Sequence, residues 1–568
     1  MSDSANRGDD GAAVLVARKR IRWRPWLLLA AFAVLWFGFL ELRGLYFPDE
    51  GRYSEIPREM LASGDWVTPR INGFSYFEKP PLQYWLTAAV FAVAGYDEWT
   101  ARLAPALAGF AAVLAVLWTA RRLFGRRAGW MAGAVLASSC GYFIATQFVT
   151  LDMLLTALLT CALCAFLLAQ QARASPADNR HWMLVAWTLC ALAVLTKGVI
   201  GVVLPALAIG TYLAVTRDWR LMRSLQIGLG LVVLLAIAAP WFFLVESRNP
   251  GFAEFFFIHE HWQRFTLPAH RRPGPFWYFV PIAVVFLMPW LPAIVASFTW
   301  RARGPASIPA RVFSARTFAW CWAAAIFVFF SLSSSKLPAY IMPAMGAVAL
   351  AAAQPLAQRW DVTLRLTAWA LVACGVVVAG LAIPATAWIK VALVQEAYAH
   401  NVGWMIGAGA LLVAGGALAL HLVRGRRRMG ALAAVMFGGM LACQLVAVVA
   451  HEVDGYFSAE RLIERVTEGA WPFRPDLPFY SVDMFDHTVP FYLGRTVILV
   501  KEKSELEFGI AAAPANFIAD VATFAQRWRG ENDAYAIMRQ TTYETLLETG
   551  LPMRLVDGDG RRVVVARR

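Results

Sequence analysis

Pro80-Pro81-Leu82-Gln83-Tyr84-Trp85-Leu86-Thr87-Ala88-Ala89-Val90-Phe91-Ala92-Val93-Ala94-Gly95 is the stretch whose reading decides how this chain is threaded. It is apolar, yet two prolines open it and Gly95-Tyr96-Asp97 closes it, so the run is short. A membrane crossing needs about 20 apolar residues, and runs of about 10 to 14 are more often interfacial or re-entrant. Counting it as a span would also place Arg121, Arg122, Arg126 and Arg127 outside, against the enrichment of Lys and Arg in cytoplasmic loops. Leaving it out places them inside. We therefore read this stretch as a helix lying along the membrane surface.

The composition makes a membrane reading the right one. The chain has 568 residues, 59% apolar and 16% charged, with a mean hydropathy of +0.53. A water-facing surface of this size needs far more ionisable side chains, which excludes disorder and an ordinary soluble enzyme. The formal charge of +14 would suggest a polyanion in a soluble protein. Here it is largely accounted for by basic cytoplasmic loops, and no nucleic-acid partner is expected. All seven cysteines lie in apolar stretches, so neither a disulfide framework nor a metal–thiolate site is expected.

Upstream, Arg18, Lys19, Arg20, Arg22 and Arg24 precede an apolar run from Trp26 to Leu40, read as a retained first span with a cytoplasmic N-terminus. Downstream, twelve further spans fall near 100–120, 128–148, 153–171, 182–196, 199–215, 225–243, 276–298, 317–333, 338–355, 366–388, 403–423 and 430–450, giving about thirteen transmembrane helices. Each inward connection then carries arginines. The critical junction is Lys197-Gly198, where merging two short runs into one helix would invert everything downstream. Residues 1–454 are thus a transmembrane domain, with interfacial helices in the first outer loop at about 50–95. From residue 455 to 568 the composition is that of a small soluble α/β domain, placed outside the cytoplasm by the odd number of spans. Strands are expected at Phe479 to Val482 and Arg495 to Val500, with polar-faced helix or loop at Ser504 to Phe508 and Ala515 to Arg529.

This topology gathers the ionisable residues of the outer loops on one face. Asp49, Glu50, Arg52 and Glu78-Lys79 lie in the first outer loop, Asp152 in the second, Lys197 in the third, Glu254 to Arg264 in the fourth, and Lys336 with Tyr340 in the fifth. Acids beside a helix start are often only caps. Two of them framing one cavity can instead orient an acceptor and balance developing charge.

The acidic pair after the first span, Glu78-Lys79-Pro80-Pro81, Leu151-Asp152-Met153 and Leu195-Thr196-Lys197-Gly198 together resemble polyprenyl-phosphate-dependent membrane glycosyltransferases of the GT-C fold. Ser335 to Tyr340, the His259-Glu260-His261 loop and the outer soluble domain are most similar to the lipid A aminoarabinose transferases. Lys79 stands where a protein mannosyltransferase would carry histidine. The resemblance implies an all-α polytopic fold of the GT-C type in the bacterial inner membrane. It also implies an inverting transfer of 4-amino-4-deoxy-L-arabinose from undecaprenyl phosphate to phosphate groups of lipid A.

On that reading Asp49, Asp152 and Glu50 are the catalytic candidates. Lys79, Arg52, Arg264, Lys336 and Tyr340 are candidates for the donor phosphate, because the leaving polyprenyl phosphate needs positive charge. Phe255, Phe256, Phe257 and Trp262 are candidate walls of the polyprenyl groove. Glu78 and His259 are candidate ligands for zinc or manganese. Two alternatives stay open: a related enzyme with another sugar or a protein or glycan acceptor, and a lipid transporter, which would carry its charges and broken helices near the bilayer midplane.

Overall fold

A computed structural model describes residues 25–171, 175–263, 273–299, 313–469 and 472–567. Its first ten α-helices are α1 (Pro25–Phe37), α2 (Asp49–Ser63), α3 (Leu82–Ala94), α4 (Glu98–Phe124), α5 (Arg126–Ser138), α6 (Cys140–Ala145), α7 (Leu151–Ala169), α8 (Pro176–Lys197), α9 (Ile200–Thr216) and α10 (Ile227–Arg248). Every expected span coincides with a helix or a broken helix. Among the described residues, eight helices are long and apolar enough to cross a membrane. The pair Phe279–Phe286 and Leu291–Phe298, bent by 109°, meets the same standard taken together, which is the form of a broken span or a re-entrant loop. The other four expected spans miss that standard for visible reasons. α1 and α9 are short, α5 and α6 are interrupted at Ser139, and α8 opens on the polar run Pro176 to His181. The chain is a multi-pass, predominantly helical membrane protein with a small C-terminal α/β domain.

The deciding stretch forms α3, which spans 13 residues, about 20 Å against a hydrocarbon core of about 30 Å. One side buries Tyr84, Ala88 and Phe91, while Val93 on the other is 89% exposed. The Asp97 side chain and Thr100 then form a capping box that starts α4. At the second critical junction, Gly198 has φ +74° and the chain reverses. A Cβ on Gly201 would lie 2.6 Å from the Ala193 carbonyl carbon. That close approach makes α8 and α9 an antiparallel pair and not one tilted helix.

α2 falls among the helices expected at about 50–95, but its burial was not expected, because its sequence is polar and yet residues Glu50 to Met60 are all buried. Its charges survive burial by pairing: Glu55 with Arg58 at 2.6 Å, Arg52 with Glu505 at 2.7 Å, and Glu59 with the Gly73 N–H at 3.0 Å. The soluble domain covers it. Arg58 donates to the Gly494 carbonyl at 2.9 Å. Asn72, in the turn of the small hairpin β1 (Arg70–Ile71) and β2 (Phe74–Ser75), exchanges two hydrogen bonds with the Val497 backbone.

The soluble domain is built on a six-stranded sheet of β3 (Phe479–Val482), β4 (Ile498–Val500), β5 (Phe517–Ile518), β6 (Tyr535–Arg539), β7 (Arg554–Gly558) and β8 (Arg562–Ala566), in the order β5-β4-β3-β6-β8-β7. The first four are mutually parallel, and β8 runs antiparallel to β6 and β7. β3 lies where expected and β4 is shorter than expected. β5 falls inside a stretch expected to be helix or loop, because it is two residues long and too brief to show alternation.

Candidate active site

Directly ahead of α2, the chain turns so that Glu50 points inward. Its carboxylate accepts from Arg43 at 2.5 and 3.3 Å, from Arg102 at 2.9 and 3.0 Å, and from the backbone N–H groups of Tyr46 at 3.1 Å and Val149 at 3.0 Å. Arg43 also donates to the Gln147 carbonyl at 2.8 Å. Burial alone would raise the Glu50 carboxyl, but Arg102 and Arg43 hold it down to about 2. This knot ties the connection between α1 and α2 to the segment just before α7. It thereby fixes Asp49, one residue away, on the same side as Asp152 in the first turn of α7.

Asp49 and Asp152 line one cavity of about 1080 Å3. Its floor comes from α2, the α7 start and the α8–α9 turn, and one wall from the wide π-type helix Glu254–Gln263. Asp49 is the open acid, its side chain 55% exposed, with Arg52 at 3.8 Å. Asp152 is engaged: Lys197 Nζ approaches its Oδ1 to 2.5 Å, and the same ammonium lies 5.1 Å from the centre of the Tyr340 ring. Lys79 sits between two carboxylates, Glu260 at 3.5 Å and Glu78 at 3.7 Å. The soluble domain closes the remaining side with Glu505, Glu507 and Phe508.

The structure therefore brings together Asp49, Asp152, Lys79, Arg52, Tyr340, Glu78, His259, Phe255 and Phe257. Three candidates lie elsewhere. Glu50 does not line the cavity; it is 2% exposed and enclosed by two arginines, a lock and not a reacting acid. Lys336 is turned onto the carbonyls of Ser331, at 3.0 Å, and Ser333, where its charge caps the end of helix Ala315–Leu332 and does not line the cavity. Phe256 is fully buried against Phe77, Trp241 and Phe252, so it packs the protein core and not a lipid groove. Arg264 and the side chain of Trp262 lie outside the described residues.

Sequence reasoning left three partners out of the candidate site. Lys197, Glu260 and Glu505 each pair with a predicted residue across 45, 181 and 453 positions respectively. Of these, Lys197 and Glu260 carried a signal, their places in Leu195-Thr196-Lys197-Gly198 and His259-Glu260-His261, and Glu505 carried none. Among the described residues no group of three or more His, Cys, Asp or Glu side chains is placed to hold a metal ion. Glu78 and His259 share the cavity wall, and His259 Nδ1 lies 3.5 Å from Glu260.

Comparison with known proteins fits this geometry. Residues 468–567 match the aminoarabinose transferase C-terminal domain, and residues 23–256 match the dolichyl-phosphate-mannose-protein mannosyltransferase family. The undecaprenyl phosphate-alpha-4-amino-4-deoxy-L-arabinose arabinosyl transferase of Pseudomonas aeruginosa (strain LESB58) is 31% identical over 557 residues, which is 94% of this chain and 96% of that one. Its counterpart in Edwardsiella ictaluri (strain 93-146) is 32% identical over 328 residues, 57% of this chain and 58% of that one. The crystal structure of ArnT from Cupriavidus metallidurans bound to undecaprenyl phosphate is 39% identical. It superposes with a TM-score of 0.87 over 96% of this chain and 98% of that one. The chain belongs to the undecaprenyl phosphate-alpha-4-amino-4-deoxy-L-arabinose arabinosyl transferases, a family of membrane glycosyltransferases.

Proposed function

We propose that this chain moves 4-amino-4-deoxy-L-arabinose from undecaprenyl phosphate to a phosphate of lipid A, with the reaction in the cavity framed by Asp49 and Asp152. The observation that carries the assignment of the site is the convergence there of two acids and Lys79 with an apolar wall that includes Phe255 and Phe257. An oxygen of the acceptor phosphate attacks the anomeric carbon. The bond from that carbon to the donor's phosphate oxygen breaks, and its electron pair leaves with undecaprenyl phosphate. A phosphate monoester has its second pKa near 6, so the acceptor is already largely ionised and needs no general base.

The acids then have other work. Asp49, open to the cavity, balances the positive charge that grows at the anomeric carbon, while Asp152 holds Lys197 and the adjoining helix start in place. Lys79 meets the developing charge on the leaving phosphate, with Tyr340 donating a hydroxyl hydrogen bond. Arg52, already paired with Glu505, contributes field and not a vacant fork. In-line displacement inverts the anomeric centre.

A divalent cation is a separate proposal. Glu78 and His259 offer an oxygen and a nitrogen ligand of the kind zinc or manganese takes, and no step above depends on it. Exhaustive chelation followed by activity measurement with and without added metal tests it. For placement, the same reading puts the protein in the bacterial inner membrane with a cytoplasmic N-terminus, the cavity and the C-terminal domain facing the periplasm. The function is tested by purified enzyme, undecaprenyl-phosphate aminoarabinose and lipid A. Mass analysis should show lipid A gaining one sugar per phosphate modified; an unmodified lipid A with active donor turnover elsewhere would point to another acceptor.

A further inference from the structure

A second recess lies away from the catalytic cavity, at the seam between the last transmembrane helices and the soluble domain. It has a volume of about 220 Å3. Helix Ala392–Arg424 contributes Leu393 and Ala397, the end of helix Arg428–Glu452 contributes Glu452, and helix Glu460–Glu468 contributes Arg461 and Arg465.

Its depth in the membrane follows from helix length. Helix Ala392–Arg424 has 33 residues, about 50 Å, which exceeds a hydrocarbon core of about 30 Å by roughly 13 residues. The surplus is its first turns, which hold Gln395, Glu396, His400 and Asn401, whereas Val402 to Leu420 is uninterrupted by charge. Leu393 and Ala397 thus stand at the level of the lipid headgroups. Leu393 itself is 39% exposed and Trp388, five positions earlier in the chain, 66%, apolar surface of the kind that meets acyl chains.

The recess has both signs of charge on offer. Arg461 and Arg465 are four residues apart and share a helix face. Arg461 uses Nε toward Asp454, at 3.4 Å, and Nη2 toward the His451 carbonyl, at 3.1 Å. Arg465 uses Nε toward Asp557, at 2.6 Å, and Nη2 toward the Gly558 carbonyl, at 3.3 Å. In both, Nη1 is left available among the described residues. The Glu452 carboxylate, which lines the same recess, has no ion pair among the described residues, while Asp559, the other acid of the recess, is satisfied by Arg562 at 2.6 Å. Two guanidinium donors for a phosphate and one carboxylate for a cation, at headgroup depth, match a zwitterionic lipid.

We infer that this recess is a headgroup site for a phospholipid of the phosphatidylethanolamine class, its phosphate on Arg461 and Arg465 and its primary ammonium on Glu452. Phosphatidylglycerol would leave Glu452 without a cation. Phosphatidylcholine has no N–H to donate to it.

Native mass spectrometry of the full-length protein in detergent, titrated with each of the three lipids, tests this. The expected result is a single phosphatidylethanolamine adduct at roughly tenfold lower concentration than the other two lipids require, the ratio set by one charge-assisted hydrogen bond. Glu452→Gln brings the three lipids close to parity. Ala397→Trp fills the recess and removes the adduct while the elution profile and sugar transfer stay as in the parent. Equal retention of the three lipids by the parent, no adduct in the parent, or an adduct undiminished in Ala397→Trp overturns the assignment.

Discussion

Replacing Glu50 by glutamine separates a structural acid from a chemical one. The carboxylate takes six hydrogen bonds from Arg43, Arg102, Tyr46 and Val149. A glutamine amide keeps one acceptor oxygen and turns the other into a donor facing three donors. Arg43 and Arg102, both buried, lose their counter-charge. With the native carboxyl held to about 2 against a reference of 4.5, the ionised form is favoured by about 3 kcal/mol in the fold. Breaking a buried pair by removing one partner costs about 3–5 kcal/mol. We therefore expect Glu50→Gln to lose about 3–4 kcal/mol, seen as a melting temperature several degrees lower in detergent. The acid limb of the stability profile should change with it. In the parent, this contribution is complete above about pH 4.5 and disappears as pH falls through about 2; in the variant it is missing throughout. An unchanged melting temperature with abolished transfer would refute the reasoning and return Glu50 to the chemistry.

Asp49→Asn should do the reverse, cutting turnover by about a hundredfold or more while melting and donor binding stay near the parent values in a fluorescence melt and a lipid-binding assay. Lys336→Met should lower the melting temperature and leave the KM for donor unchanged, because its ammonium serves the carbonyls of Ser331 and Ser333. Glu460 is pushed up to about 8 by burial and then by Glu98 and Asp454. Its contribution is therefore complete below about pH 4.5 and lost as pH rises through about 8. Glu460→Gln should flatten the decline of melting temperature between about pH 4.5 and 8, where the native carboxyl stays protonated and the unfolded one does not.

Much of this fold was legible in the sequence because lipid imposes a simple rule of length and polarity. The shortness of Leu82 to Ala94 and the arginines at 121, 122, 126 and 127 are the grounds on which the sequence leaves α3 out of the count of spans. Gly198 marked a turn that a continuous hydropathy profile would have smoothed over. Side-chain direction was not legible. Asp49 and Glu50 are neighbours of like chemistry, and only the presence of Arg102, 52 positions away, decides which one turns inward. Lys336 stands in a motif with Tyr340, yet its long side chain reaches back to carbonyls while the tyrosine lines the cavity. The contribution of the soluble domain escaped notice for the same reason, since Glu505 meets Arg52 only after the domain has folded over α2.

The account rests on Asp49 and Asp152 facing one compartment, which requires that α3 does not cross. Ser63 before α3 and Tyr96 after it are both exposed. Each can be replaced singly by cysteine in an active background lacking the native cysteines and treated in intact spheroplasts with a membrane-impermeant thiol reagent. Labelling of both without permeabilisation is the predicted result. Labelling of one, with the other reached only after the membrane is opened, would contradict it.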